Sequence, residues 1–263
     1  MTTTVNQENL QAFVARIYQK LGVPDKDAQV AARIAVAADL RGVDSHGVVM
    51  LPRKVGYMRR GLIEPTPEIK IDRETPATAL LDGGNGLGEV VSQRAMEICI
   101  QKAKSVGAGF VSVHDSNHYG IAAYYSMMAL DHDMIGISMT NSTPIVVPTF
   151  GRTAVIGTNP ISMAAPAGTE RPYVLDMATS IVPSVKMAVY KNLGKSIPAG
   201  WAIDNEERAM TNPGEVSKML YSRTGGGLLP LGGGDEEFGG HKGYGLSLMV
   251  DILSGVLSGS AFG

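Results

Sequence analysis

The sequence predicts an α/β protein: a helical N-terminal region leading into a sheet core without a Rossmann dinucleotide fingerprint. Three observations carry this. Up to residue 76 the apolar residues recur at helical spacing. From residue 77 short β-rich runs alternate with helical ones, the signature of an α/β sheet. The glycine-rich turn after the first such run lacks the spacing of a Rossmann dinucleotide motif. The expected organisation is a helical region over 1–76 and an α/β core over 77–263. With 44% apolar residues in 263, the chain can bury a substantial core.

The first helix is expected to start from a capping box in "TVNQ" at Thr4. Leu10, Phe13, Val14, Ile17 and Leu21 then form its apolar stripe until Gly22 and Pro24 stop it. A second helix puts Val30, Ile34 and Ala38 on one face and ends at Gly42. A third follows "DSHG", with Leu51, Val55, Met58 and Leu62 in period and Pro52 tolerated in its first turn. "EPTPEIK" reads as a connector. "ATALLD" is then a strand, "GGNGLG" a turn, and "EVVSQRAMEICIQKAKSVG" a helix closed by Gly107. "GFVSVH", "MIGISMT" and "PYVLDM" are further strands. "GIAAYYSMMALDH" and the final "KGYGLSLMVDILSGVLSG" are helices, the last with Leu248, Ile252 and Val256 on one side.

Composition excludes several function classes. A net charge of −2 and a pI near 6.2 provide no electrostatic attraction to nucleic acid or an anionic membrane. No apolar run reaches the ~18 residues of a membrane span, because Asp251 interrupts "YGLSLMVDILSGVL". "MTTTVNQENL" lacks the basic and apolar regions of a secretory signal. The single cysteine, Cys99, has no internal disulfide partner and falls in a helical pattern. A cytoplasmic protein that binds small molecules or copies of itself is the expectation. Glycine is in excess, 32 residues where average usage gives about 18.

Several motifs could carry chemistry. In "HDSNHYG", His118 falls between a strand and a helix, at the carboxyl end of a strand, where ligands bind in α/β sheets. Ser116 and Asn117 could fix its tautomer and Tyr119 could wall it, while His114 reads as strand filler or a turn partner. In "DSHG", Asp44 or Ser45 could cap the next helix; His46, near a helical N-terminus, would stay neutral and orient a polar substrate. Ser142, beside Asn141 and Thr143, offers short donors and acceptors at a strand end. Asp176, followed by Met177 and Ala178, ends another strand and could accept from a ribose hydroxyl. "GTNP" reads as a turn, with Asn159 biased to extended backbone by Pro160. In "GGHKGYG", His241, Lys242 and Gly243 open a helix in a way that suits an anion, and Tyr244 reads as packing. His46, His118 and His241 lack the spacing of a zinc site, so no metal is expected. "GGNGLG" would need a glycine where Glu89 stands to be a dinucleotide fingerprint, so it reads as a tight turn.

In order along the chain, "DLRGVDSHGVVMLPRKV", "DGGNGLG", "SNHYGIAAYY", "GTNPISMAAP", "LDMATS", "GGLLPLGG" and "GHKGYGLSLMVDILSGVLSG" strongly resemble the malate/L-lactate dehydrogenase family. That group also holds ureidoglycolate and sulfolactate dehydrogenases and a cyclic imino-acid reductase. The resemblance implies a non-Rossmann α/β oxidoreductase using NAD or NADP, working as a homodimer or dimer-based oligomer. It makes His118 the general acid/base and sets Ser45 and His46 beside substrate and nicotinamide. Ser142, Asp176, Met177 and Ala178 become cofactor contacts, with His241, Lys242 and Gly243 at the cofactor or an interface. Many members carry an arginine where this chain has Met50; Arg53, one helical turn on, is the expected substitute, and Asn159 is a second expected substrate contact. The family also continues beyond "SGVLSG" with a segment returning to the N-terminal helices, a part that activity is expected to need. The resulting expectation is hydride transfer between NAD or NADP and a small 2-hydroxy or 2-oxo acid, at a histidine of pKa near 6.5. Reduction of a cyclic imine, a ligand-binding homologue without turnover, and a zinc hydrolase are the alternatives.

Overall fold

Alanine-rich packing organises the beginning of the chain. The structure, a computed structural model, describes residues 4–262. α1 (Gln7–Lys20) buries Val14, Ala15 and Tyr18 against α2 (Asp25–Leu40), whose Ala28, Ala31 and Ala32 are small enough for close contact. The opposite face of α2 presents Val30 and Ile34 to Tyr119, Ala122 and Tyr125. α1 is capped by Asn6, not by a box from Thr4: Asn6 Oδ1 accepts from the backbone N–H groups of Glu8 (2.9 Å) and Asn9 (3.0 Å). Phe13, expected on the apolar stripe, is 50% exposed, because the buried arc is centred on Val14 and Tyr18.

Two 3₁₀ turns, Asp44–His46 and Val48–Met50, lead into α3 (Leu51–Arg59), with Pro52 in its first turn as expected. Neither Asp44 nor Ser45 caps this segment. Asp39, from the last turn of α2, takes the Val48 N–H at 3.0 Å. Gly47 permits that approach, since a β-carbon there would lie 1.8 Å from Asp39 Oδ1.

The first sheet has the order β1-β2-β3, with β1 (Lys70–Glu74) antiparallel to β2 (Thr78–Asp82) and β2 parallel to β3 (Phe110–His114). α4 (Gly88–Val106) is the crossover between the parallel strands and ends at Gly107, φ +90°. β1 lies where a helical region and connector were expected: all five of its residues are exposed, so no alternation announces it. α5 (Ala122–Met128) is shorter than its sequence pattern, the chain tightening into a 3₁₀ turn at Leu130–His132.

A second sheet has the order β4-β5-β6, formed by β4 (Gly136–Met139), β5 (Ile161–Ala165) and β6 (Tyr173–Met177). The chain forms two compact units that exchange within these strands. One runs through Ile137 and takes in Met163–Val174; the other comprises Ser138–Ser162 and the chain from Leu175 onward. In the second unit, α6 (Val185–Asn192), β7 (Ala202–Ile203), α7 (Pro213–Ser222) and β8 (Gly227–Leu228) surround a core of Val146, Met187, Ala202, Val216 and Leu228. α8 (Gly240–Asp251) does not continue as one α-helix: Ile252–Val256 form a π turn, leaving Ile252 53% and Val256 49% exposed. The architecture is mixed α/β with small sheets, the expected class. Among the described residues no helix is long and apolar enough to cross a membrane.

Leu81, fully buried on β2 opposite Val113, is the centre of the first sheet's core. Leu81→Ala should cost about 2–5 kcal/mol in urea denaturation.

Candidate active site

The site in the first unit begins with a contact between two turns. After β3 the chain enters the 115–121 loop with Asp115 at φ +46°. Asn117 Nδ2 donates to the Asn85 carbonyl (3.0 Å), Asn85 Oδ1 (3.0 Å) and the Gly86 carbonyl (2.9 Å). The "GGNGLG" glycines allow this: a β-carbon on Gly83 would lie 2.7 Å from the Asp115 carbonyl oxygen, and one on Gly88 would lie 2.0 Å from that of Asn117. They serve close backbone approach. Asn117 is therefore spent on holding the loop, and the His118 tautomer is set elsewhere: the Gly120 N–H donates to His118 Nδ1 at 3.3 Å, which leaves the neutral ring's proton on Nε2. Tyr119 turns away from His118 into the core, stacked on Tyr125 with ring centres 4.9 Å apart, and the Tyr125 hydroxyl donates to the Tyr119 carbonyl.

His46 meets His118 with ring centres 5.4 Å apart and planes 26° apart. Ser45 Oγ lies 2.7 Å from His46 Nδ1. Arg53 is exposed; its Nε donates to the Tyr57 hydroxyl at 2.8 Å, and its guanidinium carbon lies 5.3 Å from the Tyr57 ring centre. Two residues that sequence reasoning missed lie beneath the histidines. Lys54, 5% exposed, donates to Glu89, 2% exposed, and to the His118 carbonyl oxygen at 3.2 Å. Among the described residues Glu89 Oε2 has no hydrogen-bond partner. A signal for Lys54 existed: it shares the buried face of α3 with Leu51 and Met58 at i, i+3 and i+7. Glu89, in the first turn of α4, looks in sequence like an ordinary acidic residue favoured by the helix dipole.

Charge in this cluster is held low. Burial pushes the Lys54 amine down to about 7. Burial and Lys54 push His46 below its ordinary value. His118 is pushed down to about 3 by desolvation first, then by Lys54, His46 and Arg53, although its ring stays open to solvent, and the water reaching it offsets part of this. A pKa near 6.5 is thus not what the fold provides; the resting imidazole is neutral.

His114 is a turn partner outside this cluster. Its Nδ1 pairs with Asp115 (2.9 Å) and its Nε2 with Asp72 (2.8 Å), which raises its pKa. Among the described residues, the one group close enough to share an ion is Asp82, His114 and Asp115, and it includes none of His46, His118 and His241.

In the second unit Ser142 is exposed at the end of β4. Its N–H donates to Asn159 Oδ1 (3.0 Å) and its Oγ accepts from the Thr158 N–H (2.9 Å). Asn159 is fully buried, and its Nδ2 donates to the Ser247 carbonyl at 3.0 Å. Its φ is +33°, not extended, because these bonds hold the backbone against the preference imposed by Pro160. Asp176 is exposed at the end of β6, followed by half-buried Met177 and Ala178. His241 and Lys242 are exposed in the first turn of α8, while Gly243 is buried where a β-carbon would lie 2.0 Å from the Leu231 carbonyl oxygen. Arg152 is engaged by Glu207.

The family described as malate/L-lactate dehydrogenase matches residues 5–263. This chain belongs to that family. It is 53% identical over 258 residues to a malate dehydrogenase of Pyrococcus horikoshii, covering 98% of this chain and 70% of that protein. To an L-sulfolactate dehydrogenase of Methanothermobacter thermautotrophicus it is 41% identical over 260 residues, covering 98% and 72%. Among solved structures, a malate dehydrogenase from Entamoeba histolytica superposes with a TM-score of 0.96 at 37% identity, over 100% of this chain and 73% of that one. This malate/L-lactate dehydrogenase family member is accordingly a nicotinamide-dependent hydroxy-acid dehydrogenase.

The depressed His118 pKa makes stability pH-dependent. Between pH 6.5 and about 3 the unfolded chain binds a proton that the folded dehydrogenase does not, so this contribution is present above 6.5 and is lost as pH falls through the window. The decline of the thermal midpoint over that range should be shallower in His118→Asn.

Proposed function

We propose that this enzyme reduces a small 2-oxo acid to its 2-hydroxy acid, and runs the reverse reaction, with His118 managing the proton at the substrate oxygen. The observation that carries the reading is the charge around His118. A solvent-reachable imidazole with its proton on Nε2 is bordered by Lys54, Arg53 and His46, a neighbourhood that favours an anionic substrate.

The neutral ring can donate from Nε2 to a carbonyl oxygen and so polarise it. Delivering a whole proton needs the imidazolium. A substrate carboxylate beside exposed Arg53 offsets the charge that opposes that form, and only a 3.3 Å bond to Gly120 is lost in making it. His118 thus takes up a proton as the acid binds and passes it to oxygen during reduction; in oxidation the proton returns. His46, kept neutral and held by Ser45, orients the substrate. Arg53, steadied by Tyr57, clamps the carboxylate in place of the arginine that Met50 replaces.

A nicotinamide dinucleotide supplies or accepts the hydride when bound. The second unit has the chemistry to hold one: exposed Ser142, with its hydroxyl oriented by Thr158, and exposed Asp176 suit hydroxyl and amide groups, with Met177 and Ala178 beside them. Exposed His241 and Lys242 at the start of α8 suit phosphate, with Gly243 allowing the helix to pack closely. Asn159, buried with its amide oxygen and nitrogen each hydrogen-bonded, acts by positioning Ser142 rather than by touching substrate. We further propose a homodimer or dimer-based oligomer in the cytoplasm, a setting that suits the free thiol of Cys99.

The test is NADH and NADPH oxidation at 340 nm against oxaloacetate, pyruvate, sulfopyruvate and a cyclic imine, with wild type and His118→Ala. Histidine proton transfer is worth ~10²–10⁴-fold, so the variant should lose that much kcat while still binding cofactor. Turnover of the acids surviving in His118→Ala removes His118 from the mechanism, and turnover of the imine alone replaces the substrate.

A further inference from the structure

Beneath the imidazoles lies an arrangement that the acid–base reading does not use. The Lys54 ammonium reaches two acceptors, a Glu89 oxygen and the His118 backbone carbonyl. Both side chains are almost wholly buried, and among the described residues the second oxygen of Glu89 has no hydrogen-bond partner. Such a pair is costly: removing two charges from water is repaid only in part by their attraction, and replacing them with apolar side chains is often neutral or stabilising. Stability alone therefore does not account for this lysine on the buried face of α3. Its second contact, to the His118 carbonyl, is the informative one, because it ties α3 and the first turn of α4 to the peptide that carries His118.

We propose that Lys54 is the positioning residue of His118: held against Glu89, it grips the His118 carbonyl and sets both the ring's orientation and the charge that the ring senses. The His118 carbonyl opens the turn in which the Gly120 N–H meets His118 Nδ1. Tension at the carbonyl therefore passes directly to the bond that selects the tautomer. The titratable and charged groups facing His118 are the neutral His46 from the 44–46 turn and Arg53 and Lys54 from α3, while Glu89 from α4 acts through Lys54. Of the lysine and arginine, Lys54 is buried and Arg53 exposed, so solvent screens Lys54 less. The proposal rests on His118 being the proton-handling group, but its test does not require turnover.

The experiment is NMR of the full chain with labelled histidine, lysine and glycine, with resonances assigned by His46→Asn, His118→Asn and Lys54→Met. Burial brings the Lys54 amine to about 7, so in wild type it should lose its proton near neutrality. The His118 ring and Gly120 amide signals should move in step with the Lys54 ε-carbon through that range. In Lys54→Met/Glu89→Gln, which removes both charges at similar volume, His118 should protonate at higher pH than in wild type and the Gly120 amide should lose its hydrogen-bonded shift. Where substrate turnover exists, kcat should fall by about 10–100-fold with KM changing far less, the signature of misplacement. Wild-type His118 and Gly120 signals that stay flat while Lys54 titrates overturn the proposal, even if the double variant fails to fold. A folded double variant with wild-type His118 titration overturns it equally. Failure of every acid in the 340 nm assay, with this coupling intact, removes the substrate reading and leaves Lys54 in its positioning role.

Discussion

A backbone-to-backbone contact at Gly88, where a β-carbon would lie 2.0 Å from the Asn117 carbonyl oxygen, is the constraint on which the His118 site depends. It lets the 83–88 turn and the 115–121 loop close on each other, with Asn117 hydrogen-bonded across the junction. The next residue along α4 is Glu89, so the same contact carries a carboxylate beneath His118. A side chain at Gly88 would push the loop away from α4 and separate the imidazole from the Lys54–Glu89 pair. The glycine excess thus has a local meaning here: these glycines remove bulk where two backbones must meet.

Electrostatics then decide what the imidazole can do. Desolvation first, then Lys54, His46 and Arg53, disfavour a charged His118, so the resting enzyme presents a neutral donor. A bound carboxylate is the natural counterweight, which couples substrate charge to protonation of the imidazole we propose as the proton carrier. Such coupling favours acidic substrates over neutral ones of the same shape, because a neutral ligand leaves the imidazolium opposed by its cationic neighbours.

Much of this was legible in the residues. Helical periods located α1, α2 and α4, although Asn6 rather than Thr4 caps α1 and Phe13 lies outside its buried arc. Ordered motifs identified the family and drew attention to His46 and His118. What stayed hidden were elements without a pattern, such as β1, whose five exposed residues do not alternate, and the short β7 and β8, two residues each. Asn159 looked extended and polar, yet long-range bonds to Ser142 and Ser247 hold it buried at positive φ. Ser116 and Asn117 looked like partners for His118, but the tautomer is set by a backbone N–H two residues on, a group that no sequence pattern displays.

By itself the sequence determined the class of fold and the family and singled out His46 and His118 as candidates, because periodicity, strand–turn–helix order and motif succession are local properties of a chain. Only the tertiary structure decided the state of those histidines. The stacking of His46 on His118, the ammonium beneath them and the carboxylate that holds it come from residues up to 72 positions apart, His46 to His118. A pKa depends on the charges and solvent within a few ångströms, and proximity of that kind exists only once the chain has folded.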